Sequence, residues 1–141
     1  MKYTLAPGAT APIRATEGSA GYDLAVYNPE RSWYSFNPGR VTEVRTGVSM
    51  AIPTGYVGLV YVRSSLGAQG LMLTNGTGVI DSDYRGEIIL KLTSHQEYLD
   101  IDNGDRIAQI VITPIITPEL EQVQTLDETQ RGAGGFGSTG K

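Results

Sequence analysis

Short apolar runs closed by turn residues constrain this chain more than any other feature. Val41 to Met50, Tyr56 to Val62, Glu87 to Thr93 and Arg106 to Ile115 are rich in β-branched and aromatic residues, and none sustains a helical stripe over three turns. Between them stand Asn37-Pro38-Gly39, Pro53-Thr54-Gly55, Asn75-Gly76 and Asn103-Gly104. Such combinations reverse a chain because proline presets φ while glycine and asparagine tolerate the left-handed region. The pattern predicts an all-β sandwich or barrel. A capping-box match, Ser94 with Glu97, lies too close to Asn103-Gly104 to open more than one helical turn.

The 141 residues suffice for one core and are too few for two ordinary domains. With 40% hydrophobic and 18% charged residues, the chain is apolar enough to fold. No apolar run approaches the roughly 18 residues of a spanning helix, and Met1 to Ile13 carries prolines where a signal peptide would be apolar. A soluble, cytoplasmic protein is therefore expected. The absence of cysteine and the single histidine exclude disulfides, thiolate zinc sites, Cys nucleophiles and a polyhistidine site within one subunit, so any metal must be held by oxygens. A net charge of -4 argues against bulk electrostatic binding to nucleic acid or anionic membrane. Eight of the eleven basic residues are nonetheless Arg, whose forked donors suit phosphate and carboxylate, so a local anion site stays open.

The C-terminal stretch is different in kind. Arg131 to Lys141 reads Arg-Gly-Ala-Gly-Gly-Phe-Gly-Ser-Thr-Gly-Lys, five glycines in eleven residues, with almost no side chains from which to build a core. Residues 1 to 126 are taken as the domain and 127 to 141 as a flexible, glycine-rich arm. Gly132 to Gly137 and Gly135 to Gly140 match G-x-G-x-x-G, and Gly135 to Lys141 matches the glycine-lysine half of a P-loop. Both motifs work by feeding phosphate onto a following helix N-terminus. With Lys141 the last residue of the sequence, that helix is not expected, and the Rossmann and Walker readings are set aside. The segment reads either as a plain flexible terminus or as backbone N–H groups that, with Arg131, Ser138 and Thr139, wrap a polyanion.

Four further clusters carry candidate chemistry. Arg63-Ser64-Ser65-Leu66-Gly67 closes an apolar strand with short donors next to a guanidinium, either a phosphate clamp or a turn with a surface Arg. Asn75-Gly76-Thr77-Gly78-Val79-Ile80-Asp81-Ser82-Asp83-Tyr84-Arg85-Gly86 reads as a hairpin bearing an amide, two carboxylates and a phenol. Asp81 and Asp83 would share a face of an extended segment, as a cation pair or as polar strand-end positions. Asp23, in Gly18-Ser19-Ala20-Gly21-Tyr22-Asp23-Leu24, is otherwise a turn residue. Gln109, in Gly104-Asp105-Arg106-Ile107-Ala108-Gln109, is a polar side chain on an apolar strand and needs partners if buried. His95 and Trp33 read as surface or loop residues.

Taken in order, Ala20 to Leu24, Arg63 to Leu66, Gly78 to Gly86, Gly104 to Gln109 and Arg131 to Gly140 resemble the five motifs of the homotrimeric dUTP pyrophosphatase (dUTPase) family. Pro38-Gly39 through Val48 and Ile52 to Tyr56 are also family-like, whereas the aromatic segment Tyr27 to Phe36 departs from the plainer strand and turn of relatives. The resemblance implies a jelly-roll-like β-barrel or sandwich and a homotrimer whose active sites are shared. Motifs one, two and four would come from one subunit, motif three from a second and the glycine arm from the third.

Carried over by residue, the resemblance makes Asp81 the catalytic group that directs water at the α-phosphorus of dUTP, releasing dUMP and pyrophosphate. Asn75 and the backbone of Gly78, Val79 and Ile80 would read uracil, the backbone at Ile89 would close the pocket, and Tyr84 would pack on the deoxyribose. Arg63, Ser64, Ser65 and Gln109 would hold phosphates, and Asp23 would reach Mg²⁺ through coordinated water. Arg131, Gly137, Ser138 and Thr139 would close over the γ-phosphate while Phe136 stacks on the base. The chemistry agrees in kind, since triphosphate hydrolysis needs charge neutralisation and a positioned water more than a covalent nucleophile. The related dCTP deaminases share an Arg-Ser-Ser segment, but Gly78 to Arg85 and Gly135 to Gly140 favour dUTPase. A regulatory module using the nucleotide pocket as a switch is the reading from another class, and its protein partner would be sought around Trp33.

Overall fold

The computed structural model describes residues 1–136. Ten strands and one helical turn follow in order: β1 (Lys2–Leu5), β2 (Tyr22–Ala25), β3 (Trp33–Phe36), β4 (Thr42–Ala51), β5 (Tyr56–Val62), α1 (Ser64–Gly67), β6 (Leu71–Leu73), β7 (Gly78–Ile80), β8 (Glu87–Ser94), β9 (Leu99–Asp102) and β10 (Arg106–Pro114). The four runs read from the sequence are β4, β5, β8 and β10, with ends displaced by no more than one residue. Two antiparallel four-stranded sheets, ordered β1-β4-β8-β6 and β2-β10-β5-β7, and a ribbon of β3 with β9 make up the fold. This is the all-β, jelly-roll-like architecture expected.

Alternation explains the layers. Along β8, Ile88, Leu90 and Leu92 turn inward while Ile89 and Lys91 face out, the period of two that a half-buried strand imposes. Both sheets and the ribbon contribute to one core, in which Leu24, Phe36, Val44, Leu92, Ile107 and Ile110 are fully buried. Gly39, Gly55, Gly76 and Gly104 all have positive φ, as their turn signals require. Ser94 accepts a bond from the Gln96 N–H at 2.9 Å in a local turn, and β9, not a helix, is the next element.

Two departures from the sequence reading matter. β6 pairs with β8 and β7 pairs with β5, so Asn75-Gly76 does not join two strands of one ladder. The chain crosses there from one sheet to the other and returns for β8. The second departure is a break in β4, whose register to β8 jumps between Arg45 and Ser49. Thr46 is buried and donates to the Ile88 carbonyl at 2.7 Å. Gly47, at φ 67°, gives its N–H to the Glu87 carboxylate at 2.7 Å. Arg45 completes the cluster through Glu87 at 2.8 Å and lies 5.4 Å from the Tyr27 ring centroid.

Burial pushes the Glu87 carboxyl up, but the Arg45 guanidinium and the Gly47 N–H outweigh it, and the net displacement is downward. The same pairing raises Arg45. A lowered folded-state value contributes stability that is complete above the ordinary Glu range and lost as pH falls through the lowered value. Glu87→Gln is therefore expected to flatten the acid limb of a thermal-midpoint-against-pH curve. A Cβ at Gly47 would lie 2.9 Å from the Tyr27 ring and closer still to the Ala9 methyl. Gly47→Ala should accordingly cost at least about 2 kcal/mol in urea unfolding, from overpacking added to a strained φ.

Candidate active site

Strand β10 gathers one group of side chains. It lies between β2 and β5, and its register sets Gln109 opposite Asp23 on one side and opposite Tyr61 on the other. Arg63 leaves the end of β5, tied to β10 by its N–H on the Ile107 carbonyl at 3.2 Å. Its Nε reaches across to Asp23 Oδ1 at 3.3 Å, and its Nη1 donates to the Arg106 carbonyl at 3.3 Å. Ser64 and Ser65 follow in α1, both exposed. Gln109 is half-buried against Gly21, where an added Cβ would come within 2.7 Å of its Oε1. Arg63, Ser65, Gln69 and Arg106 share the wall of a cleft of about 280 Å³ with Asp100 and Asp105.

Arg106, given no role by the sequence reading, belongs to this group. Its Nη1 donates to Asp23 Oδ2 at 3.0 Å, so the Asp23 carboxylate, 10% exposed, is held by two guanidinium groups. The reason is a bulge. Gln109 pairs with Asp23 and Ala108 with Leu24, but Ala25 pairs with Arg106, leaving Ile107 as an extra residue. Regular alternation would turn Arg106 and Gln109 to opposite faces, and the inserted residue returns them to the same one.

Asp81, Tyr84 and Asn75 lie elsewhere. Among the described residues β7 is the outer strand of its sheet and pairs only with β5, so its far edge presents unpaired backbone donors and acceptors. Val79 is 60% exposed. Asp81 follows at the strand end, exposed, in a turn where the Tyr84 N–H donates to its carbonyl at 3.2 Å. The Arg85 guanidinium closes this loop on the Ser82 and Tyr84 carbonyls. Asn75 is exposed in the crossing turn, and Ile89 is exposed on β8. Ile80 pairs with Gly58, which sets Asp81 beside Val57, whereas Arg63 leaves the far end of β5. Six strand steps at about 3.3 Å separate these ends by roughly 20 Å. One chain does not bring Asp81 to Arg63 and Gln109.

The last backbone bond from the C-terminal stretch to the strands is the Ile115 N–H on Gly55, among the described residues. Beyond it, residues 116–133 are exposed. Arg131 donates to the Gly134 carbonyl at 3.0 Å, and Phe136 is fully exposed at φ 48°. Gly137, Ser138 and Thr139 lie outside the described residues. Trp33 stands 53% exposed beside a groove of about 440 Å³ with Arg31 and Arg40.

A family model described as dUTPase matches residues 8–140. The chain belongs to the dUTPase family. The deoxyuridine 5'-triphosphate nucleotidohydrolase of Mus musculus is 43% identical over 139 residues, covering 97% of this chain and 82% of that protein. The protein of the same name from Cutibacterium acnes is 44% identical over 140 residues, covering 97% and 90%. A Staphylococcus bacteriophage 80alpha dUTPase with dUPNHPP superposes with a TM-score of 0.85 at 30% identity, over 99% of this chain and 98% of that one. A phage phi11 dUTPase, described with a structural Mg(II) ion, superposes at 0.75 and 28% identity, over 88% and 96%. Against this dUTPase framework the convergence of Asp23, Arg63 and Gln109 unites three motifs that are distant in sequence.

The shared Asp23 predicts strong coupling between the residues that hold it. In a denaturant-based double-mutant cycle, Asp23→Ala and Arg106→Ala should show an interaction of about 1 kcal/mol or more. Additive effects would contradict the pairing.

Proposed function

We propose that this chain hydrolyses dUTP to dUMP and pyrophosphate in a homotrimer whose active sites are assembled from three subunits. The observation that carries this reading is the split site. Arg63, Arg106 and Gln109 collect around Asp23 at one end of the β10 sheet, while Asp81, past the far end of β7, stands about 20 Å from Arg63 along β5. Two complementary halves on one surface join when neighbouring copies close around a symmetry axis.

Each half suits its share of the chemistry. Arg63 is held by Asp23 on one side of its fork, and its remaining N–H donors, with the Ser64 and Ser65 hydroxyls and the Gln109 amide, bind triphosphate oxygens. The edge of β7 offers uracil the alternating N–H and C=O groups that a neighbouring strand would take. Asn75 adds an amide and Ile89 an apolar wall. A polar pocket of this kind rejects cytosine strongly, because mismatched donors would leave groups unpaired. Tyr84 packs on the deoxyribose and leaves no room for a 2′-hydroxyl. Asp81 accepts a proton from the water it orients towards the α-phosphorus, and pyrophosphate departs. Residues 127–141 form the arm, in which Arg131, Gly137, Ser138 and Thr139 cover the γ-phosphate and Phe136 stacks on the base.

The donor set fits Mg²⁺ at second hand only. No group of three or more His, Cys, Asp or Glu able to hold a metal ion occurs among the described residues. Asp23 Oδ2 accepts from Arg106 and Oδ1 is ion-paired with Arg63, so the carboxylate, already engaged by two guanidinium groups, suits contact with a coordinated water better than direct ligation. A hydrated Mg²⁺ carried by the triphosphate matches that limit, and when bound it supplies neutralisation of the phosphate charge. Removing dUTP limits uracil incorporation into DNA, and the dUMP formed supplies thymidylate synthesis.

Incubation with dUTP and Mg²⁺ should release dUMP and pyrophosphate, with dTTP, dCTP and UTP much poorer substrates. Ammonia from dCTP would contradict the assignment. Asp81→Asn should lower kcat by about 10²- to 10⁴-fold while nucleotide binding persists in equilibrium titration. Full turnover would remove Asp81 as the base.

A further inference from the structure

Gly86 has no side chain, yet the pose of the Tyr84 ring depends on it. The Tyr84 hydroxyl donates to the Glu87 carbonyl at 2.9 Å, so the side chain, 43% exposed, folds back across residue 86. A Cβ built on Gly86 would stand 2.5 Å from Tyr84 Cζ and 2.9 Å from Cε2, and closer still to the hydroxyl. Gly86 is not among the residues with positive φ, so its backbone would accept an L side chain without strain. The atoms a methyl would meet are the far end of one side chain, which can rotate away. Ala at this position thus moves the ring without opposing the backbone.

The carbonyl that receives the hydroxyl is itself fixed. Glu87 begins β8 and pairs with Ser49 of β4, and its carboxylate is clamped by Arg45 and the Gly47 N–H. From the β4 bulge, through Glu87, to the Tyr84 hydroxyl, every link is a hydrogen bond or strand pairing. Only the empty space above Gly86 lets the ring complete it.

We propose that Gly86 is a specificity-determining position: by lacking a Cβ it seats the Tyr84 ring in the pose that closes the sugar pocket to a 2′-hydroxyl. The inference rests on the assignment of Tyr84 to the deoxyribose. Gly86 is a positioning residue, since it touches the ring and not the nucleotide.

The test compares kcat/KM for dUTP and UTP in wild type, Gly86→Ala, Tyr84→Ala and the double variant. Gly86→Ala should reduce the dUTP-to-UTP ratio by about tenfold or more. In the Tyr84→Ala background the same substitution should change the ratio no further, because there is no ring left to displace. An unchanged ratio in Gly86→Ala, with Tyr84→Ala reducing it, overturns the role of Gly86 and leaves Tyr84 standing. An unchanged ratio in Tyr84→Ala overturns the Tyr84 assignment itself. The double variant holds no clash and keeps the comparison available if Gly86→Ala alone does not fold. A further loss of discrimination there would show Gly86 acting by another route, against the proposal.

Discussion

The register of β10 against its two neighbours decides where Asp23, Arg63, Arg106 and Gln109 meet. Pairing with β2 sets Gln109 beside Asp23, and pairing with β5 brings the strand end that carries Arg63 alongside the same point. Asp23 then becomes the common ion-pair partner of Arg63 and Arg106. Two guanidinium groups on one nearly buried carboxylate hold each other at fixed distance, which pre-arranges their outward donors for the phosphate-binding role we propose. The pairing that builds this end of the sheet also limits it. β5 extends straight from the cluster to the edge where Asp81 stands, and a strand of that length cannot fold the two together. The shared sites we propose follow from that rigidity.

The opposite sheet supplies the second anchor. At the β4 bulge, Thr46, Gly47 and Arg45 converge on Glu87 and Ile88, and Glu87 in turn receives the Tyr84 hydroxyl. A structural ion pair and the proposed sugar wall are therefore neighbours along one stretch of chain. The loop from Asp81 to Arg85 has few packed apolar contacts of its own, and it derives its shape from this anchor and from Arg85 on the Ser82 and Tyr84 carbonyls.

Strands β4, β5, β8 and β10 were legible in the sequence because each has the β-branched composition of a strand, and because turn glycines at positive φ, Gly39, Gly55 and Gly104, stand just before β4, β5 and β10. Gln109 stood out as a polar residue on an apolar strand. Arg106 did not, because an inserted residue reverses alternation without leaving a mark in composition. The same holds for the excursion of β7, since Asn75-Gly76 announces a reversal but not which sheet receives the next strand. Gly86 was legible only as a glycine of a motif. Its close approach to Tyr84 exists only once the ring turns back to Glu87. Long-range pairing carries the information in each case, and local patterning does not contain it.

Subunit complementation tests the shared site most directly. Arg63→Ala and Asp81→Asn proteins, each inactive, are mixed, dissociated and reassembled, and dUTP turnover is measured. Sites drawing Arg63 and Asp81 from different subunits recover activity in about one-quarter of random pairings, and that recovery is the predicted result. A mixture as inactive as its parents, with mixed assemblies confirmed by mass, would contradict a site divided between chains.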